Sequence, residues 1–399
     1  MEDDIPPTRT LSHQGGRGDV SPRPLLLLAS GDHDSDFRYA SGFPVEDGLY
    51  VRFGQGDDVL VVSRLELDRA RSQSRVARVE DAMALGWREQ EDRDEAWADV
   101  AATVLGERRA AGARVSSRLG VGRYEALRRA GVQLEIERGL FREERRLKSD
   151  EEIGFILTAQ QAAEAACVEV VRWLAAARSS NGELVLDGRP LTSEWLMARA
   201  QLVLNERGCA AAEMIVAGSP GAAQPHFRGT GAIRAGAPVV IDIFPRHQAS
   251  GYHGDLTRTV VAGDVSSEVA AMHAACLAAL DAGIGDLRAG ADGRDVHRAT
   301  CQALVDHGFG TTLPGLEGPP DVPRMIHSTG HGVGLEVHEP PQLRNLAYPL
   351  AARDVVTVEP GLYDARIGGV RVEDLLVIRD GGVDNLTTLP RTLDPADYV

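Results

Sequence analysis

The chain has 399 residues, of which 43% are hydrophobic and 26% charged, enough for two cores rather than one. Its 43 Lys and Arg stand against 59 Asp and Glu, a formal net charge of -16, which argues against a surface that follows nucleic acid phosphates or anionic lipid. Four scattered cysteines, Cys167, Cys209, Cys276 and Cys301, form no C-x-x-C pair, which excludes a zinc ribbon or a thioredoxin-like motif and predicts buried, reduced thiols.

Residues 1–22 mix Pro, Gly, Ser and charges without apolar periodicity, and predict an arm that cannot order itself by burial. No uninterrupted apolar run approaches the roughly 18 residues of a membrane span. The acidic start, Glu2 to Asp4, has no apolar stretch behind it of the secretory kind, so cytoplasm is the expected compartment. From Leu25 on, short apolar runs such as Leu25 to Leu28 and Val59 to Val62 alternate with turn-rich stretches and with helical patterns over 94–105 and 123–130. That alternation predicts a smaller α/β domain over 23–142.

A second domain, 143–399, opens at Ser149-Asp150-Glu151-Glu152, a capping box whose acids complement the helix dipole. The stripe Ile153, Ile156, Leu157, Ala163, Val170, Val171 and Leu174 predicts one long helix, stopped near residue 178 by Ser-Ser-Asn-Gly. Further helices are predicted over 193–207, 267–282 and 295–307, and strands over 238–243, 256–261, 354–359 and 369–378. The expected class is α+β with antiparallel strands.

Each of these strands carries an acid in apolar company. Asp242 sits in Val239-Val240-Ile241-Asp242-Ile243, and Asp255 precedes Leu256-Thr257-Arg258-Thr259. If the two strands pair as a hairpin, the carboxylates approach and repel unless a cation lies between them. Glu359 ends Val355-Val356-Thr357-Val358, and Glu373 follows Val370-Arg371-Val372, where strand alternation sends Arg371 and Glu373 to one face. Burying several carboxylates without cations would cost several kcal/mol each, so a metal is the simplest reading. The histidines cluster as His327-Ser-Thr-Gly-His331-Gly-Val-Gly-Leu-Glu-Val-His338, with His226 further upstream. Gly330, Gly332 and Gly334 argue against a zincin helix and for a turn presenting His331.

With Pro225-His226, Ile241-Asp242-Ile243, Gly254-Asp255-Leu-Thr-Arg-Thr259, the three-histidine segment, Val358-Glu359-Pro-Gly and Arg371-Val-Glu373-Asp374, residues 145–399 resemble the pita-bread metallopeptidases, in particular their Xaa-Pro aminopeptidase and prolidase branch. Ser35-Asp-Phe-Arg-Tyr39 and Ser41-Gly-Phe43 are more weakly similar to that branch's creatinase-type N-terminal domain. The resemblance implies a pita-bread catalytic domain and a dinuclear site of Asp242, Asp255, His331, Glu359 and Glu373, with Asp255 and Glu373 bridging. His226, His327, His338 and Arg371 would then line the substrate side. The oxygen-rich ligand set suits two manganese ions and tolerates cobalt, iron or zinc.

The activity so implied is hydrolysis of the bond between an N-terminal residue and proline, through a hydroxide bridging the metals. Glu359 is expected to move the water proton, with His338 or His327 at the oxyanion. The implied partners are a proline-containing peptide and a second copy of the chain in a homodimer, with neither nucleic acid nor membrane. Two rival readings are a non-catalytic binding protein on the same fold and a creatinase-like amidinohydrolase. Asp242 and Asp255 stand further apart than is usual in the family, so the loop 244–254, with Arg246 and His247, is expected to alter the rim while the ligands survive.

Overall fold

A computed structural model describes residues 23–28, 34–88 and 92–399. The predicted arm, 1–22, lies outside the described residues. The chain divides into two compact units, one ending at Leu140 and the other beginning at Phe141.

In the first unit a six-stranded mixed sheet runs in the order Arg78–Asp81, Asp57–Val62, Gly48–Gly54, Leu25–Leu28, Gly112–Ser116, Gln133–Glu137. Leu25–Leu28 is a continuous apolar run because it lies inside the sheet, antiparallel to Gly48–Gly54 and parallel to Gly112–Ser116, with all four leucines buried. Helices Arg93–Glu107 and Val121–Arg129 accompany the sheet, and Trp97, Val104 and Leu127 join Leu26, Val51 and Val61 in its core.

The second unit is built from two layers of helix on antiparallel strand. The Ser149 capping box is formed from both sides, the Ser149 hydroxyl accepting from the Glu152 N–H and the Glu152 carboxylate from the Ser149 N–H. It starts helix Asp150–Ala176, which with Ser193–Glu206 contributes to one core against the sheet Ile215–Gly218, Pro238–Ile243, Leu256–Val261. Helices Ser267–Asp286 and Gly293–Asp306 contribute to another, against the strands that follow residue 330. Ser267–Asp286 is long and apolar enough to cross a membrane by composition, with an 18-residue window of mean hydropathy 1.2. Here Met272, Cys276, Ala279 and Leu280 bury one face of it in the core.

The helix predicted over 267–282 runs on to Asp286, and two segments differ in kind. Ser-Ser-Asn-Gly does more than end the long helix: Asn181 and Gly182 have φ of 52° and 81°, and they turn Arg178–Ser180 back onto Glu183–Leu186. The run 369–378 is two strands, Gly368–Arg371 and Asp374–Arg379, in different sheets. The chain changes sheets at Val372 and Glu373, whose N–H groups leave both ladders for Pro360 O and Thr257 O.

Arg258 locks that crossing. It is 1% exposed, and its guanidinium donates to the carbonyls of Thr257, Glu373, Leu389 and Pro390 and to the Asp374 carboxylate at 3.0 Å. Five bonds from one fixed cation tie strand Leu256–Val261 to the segment that carries Glu373. Arg258→Met leaves Asp374 with Arg391 as its remaining cation and takes a donor from the buried carbonyls of Glu373, Leu389 and Pro390, so the expected loss is about 3–5 kcal/mol. Urea denaturation of the metal-free variant measures it, and a loss below about 1 kcal/mol would mean that the pair has little net value.

Candidate metal centre

The register of the first sheet places two of the acids. Asp242 lies opposite Thr257 on one side and Ile215 on the other, and Asp255 precedes Leu256, so the hairpin brings both carboxylates to the same end. Glu359 follows strand Val355–Val358 and is fixed by its N–H to Thr329 O at 2.8 Å. Glu373 sits at the sheet crossing, its carboxylate accepting from the Thr257 hydroxyl at 2.7 Å. Asp255 and Glu373 are 4% and 2% exposed.

His331 arrives on the short strand Gly330–Gly332, where backbones touch: a Cβ on Gly330 would stand 2.0 Å from Thr357 O, and one on Gly332 2.2 Å from Pro340 O. This is the physical need for the glycines, which serve close approach rather than a phosphate loop. Asp255, His331 and Glu373 offer donor atoms all within 4.8 Å of one another. Burial, and next the neighbouring His338, push the His331 imidazole down to about 3, so it is neutral. Its Nδ1 faces Gly332 O at 3.2 Å, which fixes the proton there. Its Nε2 lone pair therefore points at Asp255 Oδ2, 3.7 Å away, and Glu359 Oε1, 3.6 Å away. Once those carboxyls are ionised, three acceptors face one another.

The carboxylates report the same deficit. Burial first, and Asp242 next, push Glu373 up to about 8. Burial followed by Glu373 raises Asp255 and Glu359 well above the ordinary carboxylate range. Arg371 supplies a cation inside the cavity: its guanidinium donates to Asp242 at 2.5 Å, to the Thr257 hydroxyl at 3.2 Å and to the Tyr363 hydroxyl at 2.9 Å. A divalent cation with ligand bonds of about 2.1 Å spans the remaining gaps. The donor set fits the metal that the sequence implies.

All nine predicted site residues line one cavity of about 710 Å³: His226, Asp242, Asp255, His327, His331, His338, Glu359, Arg371 and Glu373. Met214, Phe244, Gln342 and Arg344 also line it. His338 lies edge-on to His331 with ring centroids 4.2 Å apart, and the next residue, Glu339, is anchored by Lys148 at 2.6 Å and Arg145 at 2.7 Å. His327 is held below its usual range, at about 4, by burial and then by Arg371. Both its nitrogens are engaged, Nδ1 at Ser328 O and Nε2 at the Tyr363 hydroxyl, 2.7 and 2.9 Å away.

In the long loop, Phe244 reaches the cavity, while Tyr252 is tied to Glu152 at 2.5 Å. His247 bonds the Ser250 hydroxyl, and the His253 N–H donates to Gly334 O. Tyr363 and Thr257 were missed by sequence reasoning. Thr257 could have been found as the residue opposite Asp242 in the hairpin, whereas nothing in the spacing marks Tyr363. All four cysteines are free and buried.

Comparison with known proteins agrees with this architecture. Residues 155–380 match metallopeptidase family M24, and residues 25–138 match the creatinase/prolidase N-terminal domain. An uncharacterized peptidase of Bacillus subtilis is 34% identical over 184 residues, 45% of this chain and 48% of that protein. A Xaa-Pro dipeptidase of Pyrococcus horikoshii is 27% identical over 70% of this chain and 74% of its own length. The aligned stretch thus spans about half of the first relative and about three quarters of the second. Among solved structures, a prolidase from P. horikoshii superposes with a TM-score of 0.74 at 25% identity, covering 93% of this chain and 95% of that one. An X-Pro aminopeptidase from Thermotoga maritima gives 0.77 at 22%, covering 94% and 97%, a likeness of fold. The second unit has the pita-bread fold and the first the creatinase-type fold.

The raised carboxyls set a pH dependence for metal-free protein. Glu373 titrates near 8 when folded and near 4.5 when unfolded, so its contribution to stability is complete below 4.5 and is lost as pH rises through 8. A divalent cation replaces the lost protons. The rise in Tm on adding Mn should therefore grow between pH 5 and pH 8. Differential scanning calorimetry checks this, and an equal rise at both pH values would contradict it.

Proposed function

The chain belongs to metallopeptidase family M24, and from that premise we propose that it is an exopeptidase releasing the residue that precedes proline. Asp242, Asp255, His331, Glu359 and Glu373 would hold two divalent cations, manganese first, with Asp255 and Glu373 shared between them. The observation that carries the reading is the neutral His331 lone pair aimed at Asp255 and Glu359 among buried, proton-hungry carboxylates. The relatives named as Xaa-Pro dipeptidase and prolidase support the substrate class.

When bound, the cations supply an acidified water as nucleophile and polarise the scissile carbonyl. The protein groups do the rest. Glu359, whose Oε1 lies 3.6 Å from His331 Nε2 within the cavity, accepts the proton that the water releases. As the water oxygen bonds to the carbonyl carbon and the C–N bond breaks, that proton passes to the proline nitrogen, a secondary amine that must leave protonated. His338, on the cavity wall beside His331, donates to the oxyanion.

His327 has a different task. The Tyr363 hydroxyl accepts from Arg371 and so gives its own proton to His327 Nε2. This relay fixes the guanidinium that orients Asp242. His226, at the cavity edge, faces the peptide beyond the reacting bond.

The test uses metal-stripped protein reconstituted with Mn and offered an Xaa-Pro dipeptide and an Xaa-Pro-Yaa tripeptide. Release of the N-terminal residue is expected, with kcat/KM falling about 10³-fold or more in Glu373→Ala, the equivalent of roughly 4 kcal/mol of lost transition-state stabilisation. An inert protein with both Mn and Co on every proline peptide would refute the assignment.

A further inference from the structure

Helix Asp150–Ala176 carries an amide in the middle of its buried face. Gln160 has no exposed surface, a position where a polar group is tolerated only when bonded. Its Oε1 accepts from the Asp255 N–H at 2.8 Å, and its Nε2 donates to the Thr387 hydroxyl at 2.9 Å. Because the group at Asp255 is an N–H, only this orientation of the amide satisfies it. The Thr387 oxygen also accepts from the N–H of Leu375, two residues beyond Glu373, at 2.9 Å. One side chain thus joins the backbones of two segments that belong to different sheets and carry Asp255 and Glu373.

The helix sets the position of Asp255 a second way. Gly254 lies flush against it, where a Cβ would stand 2.6 Å from Gln160 N, so the segment cannot move inward and the amide holds it from moving out.

We propose that Gln160 is a positioning residue of the metal centre, which through Asp255 N–H and Thr387 fixes the separation of the Asp255 and Glu373 carboxylates. The proposal rests on the reading of this site as a metal centre. Gln160 touches neither metal nor substrate. Its effect is on how tightly the site grips an ion, since loosening either backbone lets the two acids drift apart under their own repulsion.

Mn binding to metal-stripped full-length protein, followed by the EPR signal of free Mn, tests it, with Tm measured in parallel. Gln160→Met keeps the length of the side chain and removes both bonds, and Thr387→Val removes only the hydroxyl. Each is expected to weaken Mn binding about 10- to 100-fold. The double variant should be no weaker than the worse single one, because both act through one chain of bonds. Glu164→Gln is the control. Glu164 lies one turn further along the same buried face and bonds Thr388 and Leu389 instead of the ligand segments. It should lower Tm and leave Mn affinity unchanged.

If Gln160→Met does not fold, Thr387→Val and the control carry the same comparison. Mn affinity within about twofold of the parent in the folded variants, multiplicative losses in the double variant, or an equal loss in Glu164→Gln would each overturn the proposal. A parent chain that takes up no Mn overturns the metal reading itself, and this proposal with it.

Discussion

Mutual repulsion of buried carboxylates is the constraint around which the second unit is organised. Asp242, Asp255, Glu359 and Glu373 converge from four separate backbone segments, and at neutral pH the imidazole among them is another acceptor. An uncompensated buried charge costs several kcal/mol, and a whole domain is stable by only about 5–15 kcal/mol. Such a cluster persists only if the surrounding fold is stiff and either protons or a cation offset its charge.

The stiffness has identifiable sources. The acids sit at strand ends and at a sheet crossing, where an N–H leaves the ladder and can be spent on pinning the ligand: Glu373 to Thr257 O and Glu359 to Thr329 O. Behind them, fixed cations face away from the cavity. Arg258 bonds four carbonyls and Asp374, and Lys148 with Arg145 grips Glu339 next to His338. Arginine suits the crossing because its planar fork reaches several oxygens at once without titrating. Removing one such cation would leave an anion or carbonyls buried and unmatched, which links the strength of the fold to the geometry of the site.

Much of this was legible in the sequence because the ligands announce themselves by violating apolar patterning. One acid in a run such as Val-Val-Ile-Asp-Ile has a bland reading, but four such acids together do not, and the strands 238–243 and 256–261 fall where β-branched runs predicted. The capping box at Ser149 was legible for the same reason, its signal being local. What was not legible is tertiary. The break at Val372 and Glu373 leaves no mark in an unbroken apolar run, since it depends on which neighbour each N–H finds. Gln160 reads as an ordinary helical amide until Asp255 is laid against it, and Tyr363 as a strand aromatic until Arg371 and His327 flank its hydroxyl. The Asn-Gly turn at Asn181 was readable from its dipeptide, but a helix stop and a hairpin share that signal.

Charge balance favours the two cations proposed for this site over one. Four carboxylates against the Arg371 guanidinium leave three negative charges in a buried pocket, once the acids are ionised. One divalent ion leaves an excess of one negative charge, which keeps a carboxyl's proton affinity high and lets a proton compete with the metal. A second ion turns the excess to one positive charge, which favours an anionic nucleophile and, later, a developing oxyanion within reach of His338. The neutral state of His331 and His327 fits that balance: added imidazolium charge would oppose the cations, and burial removes it by lowering both rings to about 3 and 4. The desolvation that makes the empty cluster costly is thus the same property that keeps its histidines available as ligand and hydrogen-bond partner at neutral pH.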